Sequence, residues 1–204
     1  KNLCYIGQKS FDAGILSGKL SYLCSKKGDE FLIILTRKNI HDYEANNERL
    51  KGFKKYFEEN IPDAKIHQLK FDQSDGFDKV SYKINNFLTK HPLVRVIMVP
   101  SSRISNICKA IDNDKLPDLN LIGFDTTPQN VEALNKGIVA FLISQKSFNQ
   151  GYKSIKTISN YLVQFPIQKF GLADILTYGA FSYPITFLIT DLANRSYGKI
   201  AARK

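Results

Sequence analysis

"FLIILT", Phe31 to Thr36, is six residues without a charge. A continuous apolar run of strand length suits a strand buried on both faces, the kind found inside a parallel sheet covered by helices. "VRVIMV" (94–99) reads as another buried strand, and "LNLIGF" (119–124) and "IVAFLI" (138–143) read as further strands. "KIHQLKF" (65–71) alternates like a strand, and "LCYIG" (3–7) reads as one more short strand.

Helix-period segments fill the gaps. Residues 10–28 read as a helix with Ser10 as N-cap and Gly28 as stop. A long amphipathic helix over about 43–60 carries Leu50, Phe53 and Phe57 on one stripe, with Pro62 just past its end. Further helices are expected at 77–90 (Phe77, Val80, Ile84, Phe87), 103–111, 129–135 and from about 147. Strict alternation of strand and helix implies an α/β fold, a parallel sheet flanked by helices, with runs 31–36, 94–99 and 119–123 as its central strands. Ligands of such sheets meet the loops at the carboxyl ends of the strands. Those loops are Gly7–Phe11, Thr36–Asn47, Pro100–Arg103, Phe124–Pro128 and Ser144–Phe148.

Composition excludes more than it selects. A net charge of +10 invites a nucleic-acid partner, but Lys26, Lys27, Lys54, Lys55, Lys65, Lys79, Lys109 and Lys136 are spread along the chain like solvated helix faces. Cys4, Cys24 and Cys108 form no CxxC, so buried reduced thiols are expected rather than a disulfide framework. His41, His67 and His91 are scattered, and no metal site, cofactor loop or catalytic triad is legible. The chain is expected not to be an enzyme. It begins at Lys1 without a signal peptide and is expected to be a fragment.

The blocks "YIGQKSFDAG", "ERLKGFKKYFEE", "VIMVPSSR", "LIGFD" and "VAFLISQKSFNQGYKSI" resemble, in order and spacing, the sugar-sensing domain of LacI/GalR-type regulators. That domain shares its fold with periplasmic sugar-binding proteins. The resemblance covers about residues 1–160 and implies an incomplete type I periplasmic-binding-protein-like lobe over 1–158, the second of the family's two. The first lobe and the helix-turn-helix head are expected to be absent. By motif, the ligand-binding positions are Arg49 at the start of a helix, Ser101 where the family usually has Asn, Asp125 after "GF", and Gln145 on the last crossover strand. Planar Arg, Asp and amide groups suit the paired donors and acceptors of a polyol, and Phe11, Tyr43 or Phe148 could pack on a sugar's C–H face. Blander roles stay open: Arg49 as an exposed helix arginine, Asp125 as the cap of the helix near Pro128, Gln145 as a strand-end polar residue, Arg103 as a solvated one. The resemblance implies a small-molecule effector, DNA contact only through an N-terminal domain, a cytoplasmic location for 1–158 and a homodimer for the intact regulator.

From about Ser159 the text changes. "SNYLVQFPIQKFGLADILTYGAFSYPITFLITDLANRSYGKIAARK" resembles the first membrane segment of a VUT-family queuosine precursor transporter. Residues 175–190 hold no charge, fewer than the roughly 20 a span needs. Asp191 and Arg195 lie one turn apart, and Lys199, Arg203 and Lys204 make a positive flank. A C-terminal hydrophobic helix over about 172–194 is expected, loosened at Pro184, and would lie in an inner membrane if functional. Residues 1–158 and 159–204 thus read as two joined, unrelated coding regions. A transporter fragment with an accessory binding domain is the alternative.

Overall fold

The computed structural model describes residue 4 and residues 6–36, 44–72 and 74–164. The chain divides into two compact units, Lys1–Tyr152 and Lys153–Lys204. In chain order the elements are α1 (Ser10–Leu23), β1 (Glu30–Leu35), α2 (Glu44–Asn60), β2 (Ile66–Lys70), α3 (Phe77–Lys90), β3 (Val94–Met98), α4 (Ile104–Ala110), a 3-10 turn (Leu116–Asp118), β4 (Asn120–Phe124), α5 (Pro128–Asn135), β5 (Val139–Ile143) and α6 (Ser147–Gln164). The segment expected as a hydrophobic helix, 172–194, lies outside the described residues, as do Pro166 and Tyr43. Among the described residues, no helix is long and apolar enough to cross a membrane.

The five strands form one parallel sheet in the order β2-β1-β3-β4-β5. Three of the apolar runs occupy its three interior places, β1, β3 and β4, where both faces need apolar cover; Arg95 in β3 and Asn120 in β4 are their polar members. Alternate residues of β1 go to opposite cores. Leu32 and Ile34 join Ile97, Val99 and Leu121 under α3, α4 and α5, with Ile84, Leu88, Ile104 and Ile107 from the helices. Phe31, Ile33 and Leu35 join Val96, Met98, Ile122 and Phe124 under Ala13 of α1 and Leu50, Phe53 and Phe57 of α2. Burying each such side chain contributes about 1.5–3 kcal/mol.

The α1/α2 side is held by close approach. The buried face of α1 is small: Ala13, Gly14, Ser17, Gly18 and Ser21. A Cβ on Gly14 would run into the backbone carbonyl of Arg49, and one on Gly52 into that of Phe11. These two glycines set α1 against the turn of α2 that carries Arg49, and so place that arginine.

Four local expectations are corrected. Ser10 is the first helical residue of α1 and Lys9 is its N-cap, with no side-chain capping bond. The helix ends at Leu23, and Gly28 serves a later turn at φ 96°, where Asp29 accepts from the Lys26 amide. Cys4, Ile6 and Gly7 take no strand conformation. Their run is four apolar residues long, and Cys4 is exposed, so little burial favours adding a strand. Of the three thiols expected to be buried, only Cys108 is.

Candidate functional site

The β1–β3 junction is where the strand order reverses: α2 leads from β1 to β2 on one side, and the chain then returns across β1 to β3. At such a switch point the carboxyl ends of adjacent strands leave a crevice. Thr36 follows β1 and Ser101 follows β3, and their hydroxyls are 3.1 Å apart. Arg49 reaches the same place from α2. Its Nη1 donates to the Pro100 carbonyl at 2.7 Å and its Nη2 to Gln8 Oε1 at 3.3 Å. The guanidinium lies 4.2 Å from the centroid of the Phe124 ring, a cation–π stack. Arg49 is only 2% exposed, so the exposed-helix reading is set aside.

Gln8 carries the connection onward, its Nε2 donating to the Ser144 carbonyl at 3.4 Å. The neighbouring Gln145 donates from Nε2 to Asp125 Oδ1. Asp125 follows β4 at φ 69°, a left-handed conformation that aspartate tolerates better than most residues, and its amide donates to the Ile143 carbonyl at 3.0 Å. It does not cap α5. Thr127 is the N-cap there, its side chain accepting from the Asn130 amide, which leaves the Asp125 carboxylate turned to Gln145 instead.

Asn130 was not legible as a site residue. It is fully buried on α5, and its Nδ2 donates to the carbonyls of Ser102, Phe124 and Asp125 at 3.1, 3.2 and 3.0 Å. Its Oδ1 accepts from the Ser105 amide at 3.3 Å. One amide therefore ties the loop after β3 to the loop after β4. An Asn two residues inside a helix that starts with Thr-Pro carries no sequence signal for this; only the fold does.

The four residues predicted from motif thus stand on one polar arc. It runs from Ser101 and Thr36 past Pro100 to Arg49, through Gln8 and Ser144 to Gln145, and ends at Asp125. Ser101, Asp125 and Gln145 are half-buried, as is Phe11; Phe148 is exposed. Arg103 stands apart. It lines a neighbouring cleft of about 340 Å3 beside Thr36, Phe71, Asp72, Asn106 and Lys109.

The arc combines charged, amide and hydroxyl groups. Carboxylate, guanidinium, amides and hydroxyls are held by the loops that follow β1, β3, β4 and β5, by Gln8 before α1 and by the first half of α2. Gln145, expected on the last strand, lies two residues past the end of β5.

Comparison with known proteins agrees with the α/β fold. The family model described as a periplasmic binding protein domain matches residues 1–164. The ribose import binding protein of Escherichia coli (strain K12) is 27% identical over 153 residues, covering 72% of this chain and 50% of that protein. The chain therefore spans about half the length of that relative. The crystal structure of a candidate LacI transcriptional regulator from Bacteroides fragilis superposes with a TM-score of 0.69 at 26% identity, over 76% of this chain and 53% of that one. The queuosine precursor transporter of Escherichia coli (strain K12) is 50% identical over 48 residues, 24% of this chain and 21% of that protein. The first of these matches covers more than half of the chain with a domain class that binds ligands rather than transforming them, and on that ground the chain belongs to the periplasmic binding protein domain family.

Proposed function

We propose that residues 1–158 are the ligand-sensing lobe of a LacI-type transcriptional regulator and that the polar arc receives a sugar effector. The observation that carries this reading is the continuity of the arc from Ser101 to Asp125 along the carboxyl edge of the sheet. Asp125 would accept from a pair of sugar hydroxyls, with Gln145 ceding part of its bond. Arg49, buried and stacked on Phe124, would present an edge of its guanidinium while holding Pro100 and Gln8 in place. Ser101 offers one hydroxyl. The ligand in this class lies between two lobes, so this edge supplies one half of a cleft. In the intact regulator, DNA contact comes from an N-terminal head, the protein is a homodimer, and it works in the cytoplasm.

Calorimetric titration with pentoses and hexoses, on residues 1–158 joined to the first lobe of a LacI-type regulator, tests the site. Asp125→Ala should lower affinity by about tenfold or more, the worth of hydrogen bonds to a charged group. Unchanged affinity would remove Asp125 from the site.

A second reading applies to Ser159–Lys204. The 48-residue match at 50% identity has about the length of that segment and concerns a protein of a different class. We infer a junction between unrelated coding regions, a sensor lobe and a transporter-like piece. The alternative is a transporter carrying the lobe as an accessory domain. Sequencing the locus on both sides separates them: a frame continuing into several apolar spans, in one stable transcript, would sink the accidental junction.

A further inference from the structure

The opposite end of the sheet carries a second polar cluster, made of residues that the chain order separates widely. Glu30 opens β1 and His67 sits near the start of β2, paired in register beside Leu32. His91 caps the carboxyl end of α3. Because α3 returns antiparallel to β2, its last turn comes back to where β2 began, and His91 lands beside His67 with ring centroids 4.6 Å apart. His67 Nε2 is 2.7 Å from Glu30 Oε2. One ligand atom from each of the three lies within 4.8 Å of the others.

We propose that Glu30, His67 and His91 bind a divalent transition-metal ion, Zn2+ by preference. Two imidazoles and a carboxylate are a borderline donor set that suits zinc, with water in the fourth place. Around a tetrahedral ion with bonds of about 2.1 Å, ligand atoms stand about 3.4 Å apart. An ion entering here would open the 2.7 Å edge between Glu30 and His67, with all three ligand atoms already within 4.8 Å of one another.

The supports are rigid. Glu30 is 7% exposed and its amide donates to the Leu93 carbonyl at 2.8 Å. The His91 amide donates to Phe87 and its carbonyl accepts from Val94, both at 3.0 Å. The Phe87 ring stacks on His91 at 4.2 Å and meets His67 edge-on at 5.4 Å, fixing both imidazole planes. Lys65 Nζ, 3.3 Å from Glu30 Oε1, is the competing cation; it is 73% exposed and can leave for water. The ion would staple β1, β2 and α3 together, about 17 Å of strand away from the polar arc.

The test uses the untagged 204-residue protein. Calorimetry with Zn2+ should show one tight equivalent, and Co2+ should give visible ligand-field bands of low coordination number. His67→Gln and His91→Gln should each weaken binding by about tenfold or more, whereas His41→Gln should leave it unchanged. In the wild type, imidazole 15N resonances of His67 and His91 should shift with Zn2+ and that of His41 should not, a readout independent of whether any variant folds. Absence of saturable binding, shifts confined to His41, or affinity indifferent to both glutamine variants would overturn the site.

Discussion

The two faces of the sheet are built on different principles, and the difference separates holding the fold from placing the site. Under α3, α4 and α5 the core is mainly aliphatic, with Leu32, Ile34, Ile84, Ile97, Val99, Ile104 and Leu121 filling space between helices and strands. Under α1 and α2 it is more aromatic, with Phe31, Phe53, Phe57 and Phe124, and two glycines bring helix backbones together. Arg49 is buried on this second face and stacks on one of its aromatics. One face should therefore answer to mutation mainly in stability, the other in the geometry of the arc.

The largest effect is expected on the aliphatic face. Ile97 is fully buried in β3, between β1 and β4. Ile97→Ala should cost about 4 kcal/mol, transfer and cavity together, read as a lower urea midpoint at unchanged slope. Ligand affinity in the two-lobed protein should stay within about twofold for the fraction that remains folded. A loss under about 1 kcal/mol would mean this face is not the one that carries the fold.

Cys108 probes the same face without changing it. Burial pushes its thiol up to about 11, so the reactive thiolate is about a hundredfold scarcer near neutral pH than for an ordinary thiol. Alkylation should reach exposed Cys4 first, half-buried Cys24 later, and Cys108 only through opening of the core. Raising the pH toward 11 should speed the Cys108 reaction in the native state. Labelling of Cys108 as fast as Cys4, followed by mass spectrometry, would show that α4 does not seal this core.

On the glycine face, Gly52→Ala should cost about 2 kcal/mol, because the new methyl meets the Phe11 carbonyl and the helices must part. Here the site should move as well: Arg49 lies three residues earlier on α2, and its bonds to Pro100 and Gln8 depend on that helix position. Affinity should fall by more than the Ile97→Ala variant shows, although stability falls less. Equal ratios in the two variants would erase the distinction between the faces.

The contrast also explains what was legible in sequence. Buried strands announce themselves as short, mainly apolar runs, and "FLIILT", "VRVIMV" and "LNLIGF" fall on the three interior strands. The run 3–7 has the same look over four residues, but a strand also needs burial, and Cys4 is exposed. The family resemblance nominated Arg49, Ser101, Asp125 and Gln145, which lie along one arc, yet gave no sign of the burial of Arg49, which depends on α1 packing across α2. Gln8 and Asn130 bind the backbone carbonyls of Ser144 and Ser102, far away in sequence, and carbonyls leave no trace in side-chain text. His67 and His91 look scattered because their meeting depends on the return of α3 along β2. In each of these cases the missing information is the path of the backbone.

The smallest expected effect distinguishes two left-handed residues on the arc's edge. Asp125 has φ 69° and Lys146 has φ 51°. Such a conformation costs an ordinary residue about 1–2 kcal/mol, and glycine relieves this while giving back about 0.5–1 in chain entropy. Lys146 is exposed, and its backbone amide and carbonyl keep their bonds to Ser144 Oγ and the Gln150 amide whatever the side chain. Lys146→Gly should therefore stabilise the lobe by about 0.5 kcal/mol. Asp125→Gly removes the same kind of strain but also the carboxylate that accepts from Gln145, a bond worth about 1 kcal/mol or more. It should be neutral or slightly destabilising. Paired urea titrations read the difference directly. If both variants stabilise equally, the Gln145 bond contributes nothing in the free lobe, and Asp125 is held in its conformation by the backbone alone.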